Sequence, residues 1–574
     1  MPERDDPASP HGSAVAPPAT ITELLAWRAA HDAGRVFLVV DEQSITFGEL
    51  DRLATQVAEG LRSWGIRPGD RVAVAAPNGL PWLGLFFGAT RLGAALVTLN
   101  PRYREQELRY MLNQSGARLL LCPASTPELD FAAFFAGFRS EVPTVERYVF
   151  LEPPTGEGRF EGAATFDELL TAGATPQAEA PEPAEAAPQA EAPEPAGAQG
   201  LAGAPEPTWA RTTNTAGGPA PDDPAVILYT SGTTGKPRGA VLTHASLLAS
   251  ARAQVAHLGW DEHTSTVGSL PLNHVGGLTC GILSLLVAGG TVVLLPAFSP
   301  GAVLAATAEH RTTVLSGVPT MFVLLLQALA ANPVDVGSLR QVIVGGSILD
   351  PSLARQVAAA WPDAQLVNLY GLSESSGASV LSAPGDDLDT VTRSIGVVIG
   401  DFEGRVVDDS GIPVAPGTVG ELQLSGGCVA AGYWEMPEET AETFLPGGWL
   451  ATGDMVEAEA DGHLIVRGRK KELYIQGGFN VYPAEVEAVL GTHPAVALAA
   501  GFGVPDPVYG EVGAYVVVPR PGAEVDPDEL RSWCAARLAD YKVPRYVTVA
   551  PEVPLTPAGK VAKAELRRRF EADA

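Results

Sequence analysis

The densest run of chemically suggestive residues is LYTSGTTGKPRGAVLTH, residues 228–244. An apolar, strand-like approach leads into Thr230, Ser231, Gly232, Thr233, Thr234, Gly235 and Lys236. Small residues let successive backbone N–H groups face one anion, and the hydroxyls add donors. Lys236 adds a cation, so the segment suits a polyphosphate. It is not the Gly-x4-Gly-Lys-Ser/Thr loop, because Pro237 stands where that pattern needs its second glycine. Further clusters follow: Tyr370-Gly371-Leu372-Ser373-Glu374, Thr452-Gly453-Asp454, Arg467-Gly468-Arg469-Lys470-Lys471-Glu472 and Pro554-Leu555-Thr556-Pro557-Ala558-Gly559-Lys560. A carboxylate such as Asp454 can accept two hydrogen bonds. Taken singly, YGLSE also reads as a plain turn, the basic run as a solvated one, and Lys560 as a tail lysine.

The elements that must position these residues alternate. Over 20–172, helix-like segments (ITELLAWRAAH, WLGLFFGATRLGA, EQELRYMLNQSG) interleave with short apolar strands (VFLVV, RVAVA, ALVTL, ARLLLC). That rhythm predicts doubly wound α/β layers. It resumes at AVILYT and runs to VNLYG. From Gly396 to Gly468, EGRVVD, GELQLSG and HLIVRG alternate with period two, which predicts antiparallel β. Residues 470–570 carry a separate small α+β pattern. The expected organisation is a large region, 20–468, and a C-terminal lobe, 469–574. Residues 173–222 interrupt the first with a near-repeated Pro/Ala/Glu-rich insertion that has almost no large apolar side chain.

Composition excludes several classes. The 574 residues carry a net charge of −29, which disfavours nucleic-acid and anionic-membrane partners. Cys122, Cys280, Cys428 and Cys534 form no CxxC pair, so neither a zinc cluster nor a disulfide framework is expected. The acidic, apolar-poor N-terminus does not read as a secretory signal, and a cytoplasmic setting is expected. The uncharged runs 278–295 and 312–334 are broken by Gly289-Gly290 and by Gly317 and Pro319. The first predicts a helix–turn–strand unit, and both predict buried α/β core rather than membrane spans.

In order and type, these motifs resemble the superfamily of adenylate-forming, AMP-binding enzymes, which includes acyl-CoA synthetases, nonribosomal peptide adenylation domains and firefly luciferase. The resemblance covers roughly 20–570 outside the insertion. It implies a reaction in two halves, in which a carboxylate displaces pyrophosphate from ATP and a thiol then displaces AMP. By resemblance, Thr230 to Lys236 hold phosphate, with Thr230 and Lys236 close to the chemistry. The Tyr370 ring packs on adenine beside Gly371, and Glu374 holds Mg²⁺. Ser373 stands where the family usually has Thr and keeps the hydroxyl. Asp454 and Arg469 bind ribose, Lys471 marks a hinge, and Lys560 bridges the attacking carboxylate and the α-phosphate. The C-terminal lobe is mobile in relatives and brings either Lys560 or the turn Gly477, Gly478, Phe479 to the site, the latter for a pantetheine thiol.

The same resemblance places the acyl pocket around His274, Gly345, Gly346 and Ser347, near Val318-Pro319. No Asp lies between 263 and 334, which disfavours an α-amino acid. Small and apolar residues point to a medium- or long-chain fatty acid, with an aryl acid left open. CoA is the expected thiol, and a phosphopantetheinylated acyl carrier protein is the alternative. The intact Lys236, Glu374, Asp454, Arg469 and Lys560 argue against a catalytically silent binder.

Overall fold

The computed structural model describes residues 17–126, 129–154, 160, 162–174, 218–230, 236–555 and 561–573. Ser231 to Gly235, Lys560 and most of the expected insertion lie outside the described residues.

The helix–strand rhythm resolves into two large sheets covered by helices. The seven-stranded sheet runs, edge to edge, Arg238–Thr243, Pro224–Thr230, Ala95–Thr98, Arg71–Val74, Leu119–Cys122, Arg147–Phe150 and Ala164–Thr165. The nine-stranded sheet runs Val397–Val398, Gly377–Leu381, Gln365–Leu372, Gln341–Gly345, Val314–Gly317, Ser265–Gly268, Thr291–Leu294, Val36–Val40 and Gln43–Thr46. Helix starts follow local chemistry. Thr20 and Thr46 each cap a helix, with Glu23 and Glu49 completing the capping boxes. Helix Leu80–Leu92 buries nearly every residue, which explains why its sequence is apolar on all faces.

Chain order did not reveal how the sheets share strands. Val36–Val40 precedes every strand of the seven-stranded sheet, yet it pairs in parallel with Thr291–Leu294 of the other sheet. Pro224–Thr230, beyond the insertion, returns to the first sheet beside Ala95–Thr98. The insertion therefore does not separate two folding layers. Its expected start is also corrected: Gly173 and Ala174 end the helix Phe166–Ala174. That helix is tied to helix Phe47–Ser63 by a Gln56 Nε2 bond to the Leu170 carbonyl at 3.1 Å.

The run at 278–295 folds as helix, turn and strand. Gly289, at φ +79°, ends the helix before strand Thr291–Leu294. The helix contains a π-helical segment, Leu278–Leu283, which no sequence pattern announced. Among the described residues, no helix is long and apolar enough to cross a membrane.

The period-two segment forms the expected antiparallel sheet, with Glu403–Val407, Val419–Ser425, Trp449–Ala458 and Leu464–Arg469 paired in turn. A separate C-terminal unit builds a sheet from Tyr474–Gln476, Phe479–Val481, Val496–Asp506, Gly510–Pro519 and Tyr546–Val549. It has its own cores, one around Tyr474, Tyr515 and Leu530 and one around Phe502, Val504 and Leu566.

Candidate active site

The motif residues gather where parallel strands end, the place in open α/β sheets where ligands bind. Gln341–Gly345 and Gln365–Leu372 are parallel neighbours, and Gly345 is in register with Leu369. The turn Gly345, Gly346, Ser347 therefore begins beside Tyr370. Gly346 has φ +82°, and a Cβ there would come within 3.2 Å of Val318 Cγ1. The structure thus brings the expected pocket residues Gly345 to Ser347 against Val318. Gly371 is dictated by close approach, since a Cβ would lie 2.0 Å from the Gly377 carbonyl on the returning strand.

Three expected residues interlock. The Tyr370 hydroxyl donates to Asp454 Oδ2 at 2.6 Å, and Arg469 Nε meets Asp454 Oδ1 at 2.9 Å. Asp454 and Arg469 face each other across the antiparallel ladder, which sets that pairing by register. Asp454 is buried, and its N–H donates to Thr452 Oγ1 at 3.1 Å. Burial, reinforced by the Asp454 charge, holds the Tyr370 phenol far above its usual range. Burial works against the Arg469 charge, but Asp454, Tyr370 and Glu472 outweigh it and hold the guanidinium protonated.

A second group surrounds Glu374, which follows the buried Ser373. Glu374 Oε1 accepts the Tyr433 hydroxyl at 2.8 Å, and its backbone carbonyl accepts Ala430 N–H at 2.9 Å. The Glu374 side chain itself is half-buried. Thr230 is half-buried at its strand end, with its Oγ1 3.5 Å from the Arg238 carbonyl. Lys236 is exposed on the turn.

The remaining expected residues lie elsewhere. His274 is exposed and caps the helix after it, its Nδ1 accepting Gly276 N–H at 3.1 Å. Just beyond it, a partly open cavity of about 20 Å³ is lined by Gly276, Gly277, Cys280 and Gly281 of the following helical segment and by Gly268, Ser269 and Ser316. None of His274, Gly345, Gly346 and Ser347 lines it. Gly477 and Gly478 have φ of +60° and +87°. Phe479 is exposed and stacks on Tyr541 at 4.6 Å, within the C-terminal unit. The structure does not join this turn to the Tyr370 group.

Lys471 is exposed, between neighbours held in opposite directions. Lys470 pairs with Glu421 at 3.1 Å and Asp409 at 3.3 Å on the antiparallel sheet side. Glu472 pairs at 2.7 Å with Lys563 of the C-terminal helix, which also meets Glu487 at 2.8 Å.

With this geometry in view, comparison with known proteins is decisive. Residues 25–434 match the family described as AMP-binding enzyme, and residues 485–560 match its C-terminal domain. The chain belongs to the AMP-binding enzyme family. It is an AMP-forming acid–thiol ligase by class. A feruloyl-CoA synthase of an Amycolatopsis species is 36% identical over 92% of this chain and 94% of its own. A 3-[(3aS,4S,7aS)-7a-methyl-1,5-dioxo-octahydro-1H-inden-4-yl]propanoyl:CoA ligase of Mycobacterium tuberculosis is 32% identical over 96% and 98%. The crystal structure of the anthranilate CoA ligase AuaEII with anthranoyl-AMP has a TM-score of 0.80, with 26% identity over 97% and 98% of the two chains.

Within this AMP-binding enzyme, sequence reasoning passed over two residues. Arg238 is 6% exposed, with its guanidinium 5.4 Å from the Tyr433 ring centroid. Its Nε has no hydrogen-bond partner among the described residues. A buried arginine donor without a partner marks a place prepared for an anion. The available signal was its place inside the 228–244 segment, in strand register with Thr230. Tyr433 carried no such signal, because only the fold sets it against Glu374.

Proposed function

We propose that the enzyme activates a carboxylic acid with an apolar body and transfers the acyl group to CoA. In the first half, an acid oxygen attacks the α-phosphorus of ATP and pyrophosphate leaves. In the second, the thiol sulfur attacks the acyl carbonyl, AMP leaves and the thiol proton is released. The single observation that carries this reading is the Tyr370–Asp454–Arg469 group at the strand ends. Asp454 is a buried carboxylate with two polar partners, and a ribose diol would exchange with them.

In this reading Tyr370 and Gly371 bound the adenine, while Asp454 and Arg469 take the ribose. Thr230, the adjoining loop through Lys236, and Arg238 face the phosphates. Both first-half reactants are anions, so fixed cations matter most. Glu374 would hold Mg²⁺, which neutralises phosphate charge when bound. Lys560 supplies the cation that bridges acid and phosphate.

The partner change between Lys470 and Glu472 supports Lys471 as the hinge of a rotating lobe spanning 469–574. Rotation would exchange the Lys560 loop for the Gly477–Phe479 turn. For the acid, the small and apolar residues around Val318 and Gly346 support a fatty or ring-bearing body. The ring-bearing acids in the relatives' names favour a compact acid over a long chain. CoA as acceptor is supported by the named activities of the relatives; a carrier protein is the alternative.

The test is product mass spectrometry with ATP, Mg²⁺ and a panel of fatty, aryl and small acids, offered CoA or a phosphopantetheinylated carrier. An acyl-CoA product is expected. Acylated carrier without acyl-CoA would overturn the choice of acceptor, and no AMP from any acid would overturn the activity.

A further inference from the structure

The cavity beyond His274 has mixed polarity. Leu270, Leu272, Ile282, Val292 and Leu294 give it apolar walls. Two of its polar side chains are already engaged. Thr266 Oγ1 donates to the Val314 carbonyl at 3.1 Å, and Trp260 Nε1 donates to Gln341 Oε1 at 2.7 Å. Ser269 differs. It is 3% exposed, it lines the cavity, and its Oγ has no hydrogen-bond partner among the described residues. A buried hydroxyl without a partner is costly, so its retention at a cavity wall calls for a visiting group.

The cavity lies beside residues expected around the acyl pocket. Gly276 and Gly277 of its wall follow His274 after Val275, and a Cβ on Gly276 would come within 3.3 Å of His274 Nδ1. Ser316, on another wall, ends two residues before Val318, which packs against Gly346. Two of its walls thus adjoin residues expected at the acyl pocket. Its space of about 20 Å³ suits one oxygen-sized group rather than a chain of methylenes.

We propose that Ser269 reads an oxygen substituent, hydroxyl or carbonyl, at the end of the acid remote from its carboxylate. A serine hydroxyl both donates and accepts, so it serves either oxygen. This inference rests on the acid-activating reading above and deepens it to a substrate class: apolar-bodied acids with a distal oxygen.

The test measures acid-dependent ATP–pyrophosphate exchange with matched acids. These are 3-phenylpropanoate against 3-(4-hydroxyphenyl)propanoate, and 3-cyclohexylpropanoate against its 4-oxo derivative. The wild type is expected to favour the oxygenated member of at least one pair by about tenfold in kcat/KM. Ser269→Ala should erase about tenfold of that preference and leave the plain acid within about twofold. A merely structural role would lower both acids together. Gly281→Val is an independent arm: Gly281 lines the cavity and a Cβ there meets nothing closer than the Gly276 carbonyl at 3.6 Å, so a larger side chain fits at the cavity wall. It should penalise the oxygenated acid selectively while butanoate is spared. Should Ser269→Ala fail to fold, this arm decides. A wild type without preference, or variants with unchanged ratios, would overturn the inference and make the Ser269 partner a resident water. Exchange with no acid in the broad panel would overturn the activation reading, and the inference with it.

Discussion

Two regions that the motifs link to one reaction are built in opposite ways. The Tyr370–Asp454–Arg469 group is interlocked, with Asp454 at 4% exposure between two partners. The Gly477–Phe479 turn is open, with two left-handed glycines and Phe479 at 56% exposure. Breaking the first would strand the buried Asp454 carboxylate, at about 1–3 kcal/mol. The lysine pairs flanking Lys471 are partly exposed, and such pairs are worth about 0–1 kcal/mol. The first is built round a buried, doubly bonded carboxylate, with the Arg469 side chain reaching solvent. The proposed hinge is tied by contacts that exchange cheaply with water.

The strongest way to break this contrast lies on the side proposed to move. Lys560→Ala should cut adenylate formation by about 10³-fold yet still convert supplied acyl-adenylate to thioester. Equal loss in both half-reactions, read by rapid quench, would refute a first-step role. On the fixed side, Asp454→Ala should lower kcat/KM for ATP by about 10²-fold, because Tyr370 and Arg469 lose their common partner. A change confined to the acid's KM would refute the ribose assignment. Phe479→Ala should slow only the second half, by about tenfold, measured from isolated acyl-adenylate and CoA. An equal fall in pyrophosphate release would argue for a structural ring.

A buried histidine extends the contrast to stability. His244 Nδ1 accepts Ile21 N–H at 3.3 Å, its Nε2 has no partner, and burial pushes its pKa down to about 3. The unfolded chain binds that proton below about pH 6.5, whereas the folded chain does not until about pH 3. Stability therefore falls as the pH drops through this window, by about 2 kcal/mol at pH 5 for this residue. His244→Gln should flatten the difference between urea unfolding at pH 5 and pH 7.5 by that amount. An unchanged difference would show that other groups dominate. The smallest effect belongs to Lys470→Ala, which should cost less than about 1 kcal/mol of stability. It should shift the balance of the two half-reactions by only a fewfold, and a large stability loss would mean that the junction is cemented rather than exchangeable.

Much of the fold was legible before any coordinates. The capped helices at Ile21 and Phe47, the largely apolar helix at Leu80–Leu92 and the period-two strands after Gly396 follow from local patterning. So does the helix–turn–strand at 278–295, because Gly289 supplies its left-handed end. Strand partnership was not legible. Val36–Val40 is equally apolar beside either sheet, so only tertiary packing sends it to Thr291–Leu294. The π-helical segment was invisible for a related reason: its one extra residue per turn leaves an all-apolar sequence unchanged.

The candidate site divides along the same line. Residue type and order alone determined the chemistry on offer: hydroxyls and glycines before Arg238, an aromatic and a carboxylate at 370–374, a carboxylate at Asp454 and a basic run from Arg467. These signals are local, since donor count, charge and turn propensity are carried by a few consecutive residues. Only the tertiary structure decided that Tyr370 bonds Asp454, that Tyr433 meets Glu374, that Arg238 is buried, and that Ser269 lines a cavity without a partner. Those facts depend on desolvation and on contacts between distant segments. Neither exists until the sheets have closed over the core.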